Sequence, residues 1–376
     1  MRLEARAVPS RWMIVGSPVL ALAITVILAA LLFVALGKDP IRGLGVFFWE
    51  PIKNVYGWTE LGVKATPLAL CALGLALSFR ANVWNIGAEG QFLAGAIAGS
   101  GVALLATRET GAVLIPVILI AGIAGGMFWA AIVALLRDRY NANEILVSLM
   151  LVYVAYYLLA YIVSGPWKDP QGFNFPQTKR FVREALMPIL VPGSRLHIGA
   201  VLAVLAAIGM SIFMFRTFSG FKLQVGGLAP AAARYAGFSS RGALWSALLI
   251  SGGFAGLAGA LEATGPLGQL TPYVSPGYGF AAIIVAFVGR LNPIGILFAA
   301  LLMAMLYIGG ELAQSRLGLP KALSGVFQGM LLFSLLACDT LIHYKIRITR
   351  KIAGIPPRAP VSAARTNPPS ALRGRH

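Results

Sequence analysis

The sequence predicts an all-α, polytopic membrane helix bundle of about ten transmembrane helices, with a broken or re-entrant segment near 264–290. Three observations carry this expectation. Hydrophobic residues make up 58% of the 376 and charged residues 12%, with a mean hydropathy of +0.79, a balance that soluble domains of this size do not reach. Apolar stretches run to roughly 20 residues, the length that crosses a bilayer as helix. They are rich in Gly and poor in acids, and they lack the short alternating pattern of barrel strands.

With that length as a ruler, helices are expected at about 13–36, 61–79, 87–107, 112–136, 144–164, 197–215, 243–263, 279–289, 293–312 and 322–342. Arg2, Arg6 and Arg11 precede the first, which is too long for a signal-peptide core and reads as a retained span rather than a cleaved leader. Between the first two spans, Phe47, Phe48, Trp49, Tyr56 and Trp58 crowd around Glu50, Lys53 and Glu60. That mixture suits a helix lying in the headgroup region, or an ordinary aromatic belt. Gly95 and Gly99, Gly122 and Gly126, and Gly252 and Gly256 repeat at the four-residue spacing that lets helices approach closely in lipid. The eighth helix is too short to cross alone. Its approach, LEATGPLGQLTPYVSPGYGF, holds three prolines and several glycines, as a broken passage buried by protein would. The expected organisation is a cytoplasmic N-terminus over 1–12, a permease-like membrane domain over 13–343, and a basic, Pro- and Ala-rich, largely disordered tail over 344–376.

The formal charge of +18 does not point to nucleic acid, because most of the 31 Lys and Arg sit singly in loops and the largest group lies between Lys345 and Arg375. Basic residues flanking spans set orientation, and their partner is anionic lipid. Placing both termini in the cytoplasm gives the inner segments the larger share of the basic residues, much of it in the tail. Cys71 and Cys338 fall in apolar segments, and His197, His343 and His376 have no ligand spacing, so neither a disulfide framework nor a metal site is expected.

No phosphate-binding GxxxxGK[ST] loop, HExxH or GxSxG occurs, which argues against ATP hydrolysis by this chain and against an intramembrane protease or esterase. The acids in or beside spans are Glu89, Glu144, Glu262, Glu311 and Asp339, all within a turn or two of a predicted span end. An ion-coupled carrier is expected to keep a carboxylate near the midplane, so this placement counts against one. In NANE, Asn141 is expected to cap the following helix with Glu144 closing a capping box, a substrate contact being the alternative. Asn85 is placed to cap the helix that carries Glu89 in its first turn. Capping does not explain Trp84 and Gln91 as well. In the largest connection on the inner side, Pro230 can open a helix through AAARYAG that stops at Gly237. Two turns are unstable alone in water, so this helix docks onto a partner or onto the chain's own loops.

Four blocks, NVWNIGAEGQFLAG (82–95), NEILVSLMLVYVAYYLLAYIVSGPWKDPQGFNFPQT (143–178), VGGLAPAAARYAGF (225–238) and GYGFAAIIVAFVGRLNPIG (277–295), resemble, in matching order over roughly 61–341, the permease subunits of bacterial ABC importers for nucleosides and simple sugars, the branched-chain amino acid and ribose permease superfamily. NIGAEGQ and GPWKDP…PQT point to the branch that works with a basic-membrane-protein-type binding lipoprotein. The resemblance implies a second, homologous permease subunit, two ABC ATPase subunits that bind the ATP and Mg, an extracytoplasmic substrate-binding lipoprotein, and a place in the bacterial cytoplasmic membrane. It implies no cofactor on this chain. The family's ATPase-coupling helix matches Pro230, Ala233, Arg234, Tyr235, Ala236 and Gly237. Just before it the chain departs from the family's Gly-Glu-Asn-Pro-like run, with Gly226, Gly227, Leu228 and Ala229 leading into Pro230.

On this reading Asn85, Glu89 and Gln91, with Asn143 and Glu144, are candidates to line the translocation path at its inner mouth, while Gly87 and Gly90 permit close backbone approach. Trp167, Lys168, Asp169 and Phe173 are candidate outer-loop contacts for substrate or binding protein. Specificity is expected to reside largely in the binding protein. The alternatives are an ion-coupled secondary carrier for small polar solutes, a polytopic membrane enzyme, for which no nucleophile-and-base or metal constellation speaks, and a scaffold, which leaves the polar turn without purpose.

Overall fold

A computed structural model describes residues 2–5, 11–107, 113–320 and 322–347. Its helices, in chain order, are α1 (Arg11–Ala35), α2 (Pro40–Leu44), α3 (Val55–Arg80), α4 (Ala88–Leu105), α5 (Leu114–Tyr140), α6 (Glu144–Ser164), α7 (Gly199–Arg216), α8 (Phe218–Leu228), α9 (Pro230–Tyr235), α10 (Ser240–Glu262), α11 (Tyr278–Val288), α12 (Pro293–Leu317) and α13 (Leu323–His343). Each of the ten spans expected from the sequence has its helix. Seven, namely α3 to α7, α10 and α12, are long and apolar enough to cross a membrane, and α1, α11 and α13 have shorter apolar runs.

The core is built around α3, which packs against α10, α11, α12 and α7. Its residues from Leu68 to Leu77 are buried on every side, as a helix that is apolar all round must be. Beside it α4, α5 and α10 meet through the predicted glycines. A Cβ on Gly95 would overlap the Gly256 backbone, and one on Gly126 would overlap Gly252 and Gly256. With no hydrophobic drive between helices in lipid, this close approach supplies the packing energy.

At its C-terminal end α10 runs into a π-helical turn over Ala263–Leu267, which contains Pro266, and Gly268 then takes the left-handed conformation. Proline cannot donate to the i−4 carbonyl and so ends the regular ladder here. The chain returns through turns and bends over 268–277 to α11, whose 11 residues cover about 16 Å, roughly half the hydrocarbon core. The expected broken segment is therefore an irregular, turn-rich approach followed by a half-span helix.

The connection after α1, which the sequence reading placed in the headgroup region or in an aromatic belt, is folded. Asp39 caps α2 by accepting from Ile41 and Arg42, and a π-turn over Gly45–Trp49 drives Phe47 into the core against Phe327, ring centroids 4.4 Å apart. Trp49, Tyr56 and Trp58 remain exposed.

The two ends of the bundle are separately tied. At the end carrying α8 and α9, Asp138 joins α5 to α10 through Arg241 (2.6 Å) and Trp245 (3.1 Å), and Arg290 Nη2 donates to Ser17 of α1 at 2.6 Å. At the other end the ion pairs are Arg195–Glu60, Arg316–Glu50 and Lys64–Glu311. Strand β1 (Arg2–Ala5) pairs antiparallel with β2 (Tyr344–Arg347), so the segments before α1 and after α13 meet. The segment from 344 thus begins with four residues of strand, and the disorder expected for the rest of it concerns residues outside those described.

Candidate functional site

At the end reached by α8 and α9 the sequence expectation of a short helix opened by Pro230 and stopped by Gly237 holds. Pro230 occupies the first turn of α9, and Gly237 is left-handed at φ +75°. Tyr235 is 97% and Leu228 86% exposed, and Pro230, Arg234, Ala236 and Gly237 are exposed as well. Ala233 is buried, so of the six residues assigned to the coupling helix it packs inward and anchors the others. The preceding helix α8 was not anticipated. Thr217 caps it through Gly220 N–H (3.1 Å), and Gln224 at its far end accepts from Arg80 Nη1 at 2.9 Å. Arg80 Nε also donates to the Leu291 carbonyl at 2.9 Å. Movement of α8 and α9 is thereby linked to α3 and to the turn between α11 and α12. Only the Ser/Thr cap signal at Thr217 could have revealed α8, because its glycine-rich end reads as a loop.

The polar turn at 82–91 is assembled differently from the expectation. Gly87, not Asn85, is the cap residue of α4. Asn85 Oδ1 accepts from Gly87 N–H (3.1 Å) and Gln91 Nε2 (3.0 Å), while its Nδ2 donates to Gln91 Oε1 and Ser251 Oγ, both at 2.9 Å. Glu89 accepts from Tyr156 Oη at 2.7 Å and from Gly279 N–H at 2.6 Å. Asn85, Glu89 and Gln91 are all 0% exposed. They form a closed network rather than an open wall, and Glu89 caps α11, a helix far away in sequence, where a negative charge faces the free N–H groups and the positive end of the dipole. Gly279 must be glycine for that approach, since a Cβ would strike the Glu89 backbone.

Asn143 and Glu144 do not join this group. Asn143 caps α6 by accepting from Ile145 and Leu146 N–H, and Glu144 pairs with Arg137 at 3.2 Å. The capping box expected at Asn141 is not formed, because Asn141 ends α5 in the left-handed conformation at φ +50°, a role its short polar side chain tolerates.

Glu89 and Glu262 both lie near helix ends in sequence, yet both are buried beside the N-terminal residues of α11.

At the opposite end a cavity of about 500 Å³ opens between α3, α10, α11, α12 and α13, with Lys64, Glu262, Tyr278, Tyr307, Glu311 and Gln328 in its wall. Sequence reading missed it because five separate helices and the irregular segment before α11 each supply a few residues. The segment between α6 and α7 covers this end by pairing with the broken passage. Thr178 N–H donates to the Leu270 carbonyl (3.0 Å), Phe181 N–H to Gly268 (2.9 Å) and Met187 N–H to Thr264 (3.0 Å). Of its candidate contact residues, Phe173 is 93% exposed. Asp169 accepts from Gln171 N–H and Lys168 donates to Asn174, which shapes the turn. Trp167 packs over Gly101. His197 lies just ahead of α7, and burial pushes its imidazole down to about 4.

Residues 58–336 match the family described as branched-chain amino acid transport system / permease component. The chain is 36% identical to the glucose ABC transporter permease protein TsgB13 of Haloferax volcanii, over 93% of this chain and 94% of that one. It is 31% identical to the guanosine ABC transporter permease protein NupP of Bacillus subtilis, over 81% and 88%, and 29% identical to the nucleoside ABC transporter permease protein NupB of Lactococcus lactis, over 84% and 89%. With its helical bundle, half-span α11 and protruding α8–α9 unit, the chain belongs to this family of membrane permease components.

Proposed function

We propose that the chain is the membrane permease subunit of an ATP-binding cassette importer that takes up nucleosides or simple sugars, in the bacterial cytoplasmic membrane with both termini inside. The observation that carries this reading is the near full-length similarity to permeases named for glucose, guanosine and nucleosides. ATP and Mg bind on partner ATPase subunits, which grip α9 through Arg234 and Tyr235, and α8 passes their closure through Gln224 to Arg80. A binding lipoprotein delivers substrate to the turn that carries Phe173. A second permease subunit faces α6, whose exposed side presents Tyr153, Tyr157 and Tyr161 at one-turn spacing. By contrast α7 exposes Val201, Val204, Leu205, Ile208 and Ile212, a surface suited to lipid.

Deleting 230–237 from the full transporter should abolish uptake of labelled nucleoside or sugar while membrane insertion is retained. Uptake by the intact transporter should be blocked by vanadate and survive an uncoupler while ATP stays high. Collapse with the uncoupler alone would instead favour an ion-coupled secondary carrier, the reading to which the buried Glu262 lends some support.

A further inference from the structure

Five of the glutamates in the bundle have donors. Glu50, Glu60, Glu144 and Glu311 pair with Arg316, Arg195, Arg137 and Lys64, and Glu89 accepts from Tyr156 and Gly279. Glu262 has no ion pair of its own. It is 7% exposed, its neighbour Tyr278 is 0% exposed, and the two side chains lie beside each other with neither the Glu262 Oε2 nor the Tyr278 hydroxyl in full hydrogen-bond geometry with a partner. Glu50 and Glu184 also keep one unpartnered oxygen, but neither lines this cavity. The neighbouring cations, Lys64 and Arg195, already serve Glu311 and Glu60. A buried carboxylate oxygen short of a donor is costly, and both of these polar groups lie in the wall of the 500 Å³ cavity.

The chemistry of the wall narrows the ligand. Among the described residues no cluster of three or more metal-ligating side chains occurs, and Lys64 in the same wall opposes a cation. Among the described residues of the wall, two acids against one lysine oppose an anion. What remains is a neutral ligand rich in hydroxyl donors, small enough for a pocket of this size. Gln328 can donate and accept, and the Tyr278 and Tyr307 rings, edge to face at 5.7 Å, offer an apolar surface to one side of a sugar ring.

We infer that this cavity is a transit site for the sugar ring of the substrate, with the Glu262 carboxylate accepting from two vicinal hydroxyls and Tyr278 completing the contact. The inference rests on the reading of the chain as a nucleoside or sugar permease and adds a point of selection within the membrane subunit itself. The test uses the assembled transporter in nanodiscs without binding protein, carrying Ala322→Cys. Ala322 is exposed in the cavity wall and the native Cys71 and Cys338 are buried, so a polar maleimide reports on this site. Millimolar guanosine or glucose should slow labelling at least threefold, and 2′,3′-dideoxyguanosine should not. Glu262→Gln should remove the protection, with unchanged size-exclusion behaviour as the control. Should that variant fail to assemble, Gln328→Ala should weaken protection about threefold, the scale of one lost hydrogen bond. Labelling that no hydroxylated ligand slows, or that 2′,3′-dideoxyguanosine slows equally, overturns the site while uptake by the native transporter still upholds the permease reading. Absence of nucleoside and sugar uptake in the native transporter overturns both.

Discussion

Two buried glutamates reach the start of the same half-span helix from different sides, and they are equipped in opposite ways. Glu89 is saturated, with Tyr156 and the Gly279 N–H on its oxygens and the Asn85–Gln91–Ser251 network next to it. Glu262 has its Oε2 unpartnered at a cavity. A polar group that is fully satisfied fixes a structure, whereas one left short of donors is a place where something else binds. The conspicuous motif therefore marks the rigid half of the pair, and the inconspicuous residue marks the half open to ligand.

The contrast can be broken most sharply at Glu89. Glu89→Ala leaves the Gly279 N–H and the Tyr156 hydroxyl buried without an acceptor and should cost about 3–5 kcal/mol, read as a lower melting temperature and folded yield in detergent. Glu89→Gln should fall in between. A Glu89→Gln protein that folds normally but does not transport would make Glu89 a path residue like Glu262. Next in size is a pH effect near the Glu262 end. His197 is held neutral, with its pKa down to about 4 from an unfolded value near 6.5. The unfolded chain binds the extra proton first, so this stability is present above about pH 6.5 and is lost as pH falls towards 4. The full shift is worth about 3 kcal/mol. Melting curves at pH 7.5 and 5 should diverge in the wild type and converge in His197→Gln; divergence that survives the substitution would assign the loss to another group.

Gly279→Ala places a methyl group against the Glu89 backbone and should cost about 1–3 kcal/mol as overpacking. A neutral result would mean that α11 is not held tightly on Glu89. The smallest effect is expected at Glu262. Glu262→Gln should change the melting free energy by no more than about 1 kcal/mol, since no partner is stranded. A loss as large as that of Glu89→Ala would place both glutamates in one structural layer and end the distinction.

Much of the fold was legible because its causes are local. Each of the ten helices was readable as an apolar run, all but the eighth near the length of a span, Gly95, Gly126, Gly252 and Gly256 disclosed the packing of three helices, and Pro230 with Gly237 bounded α9. The site was read less well. Asn85, Glu89 and Gln91 were recognised as a group, but their partners Ser251, Tyr156 and Gly279 lie on three other helices, so a distant cap looked like a local one. Asn141 and Asn143 are equally good capping residues on paper, and only the left-handed turn at Asn141 decided which of them starts α6.

By itself the sequence determined that the chain crosses the membrane as helices, where those helices run, and where the short helix α9 begins and ends, because length, hydropathy and turn chemistry act over a few residues. Only the tertiary structure decided that Glu89 is spent on capping α11 while Glu262 is left short of donors. In a buried site a carboxylate is governed by the donors that reach it through space, and those donors come from helices far apart in the chain.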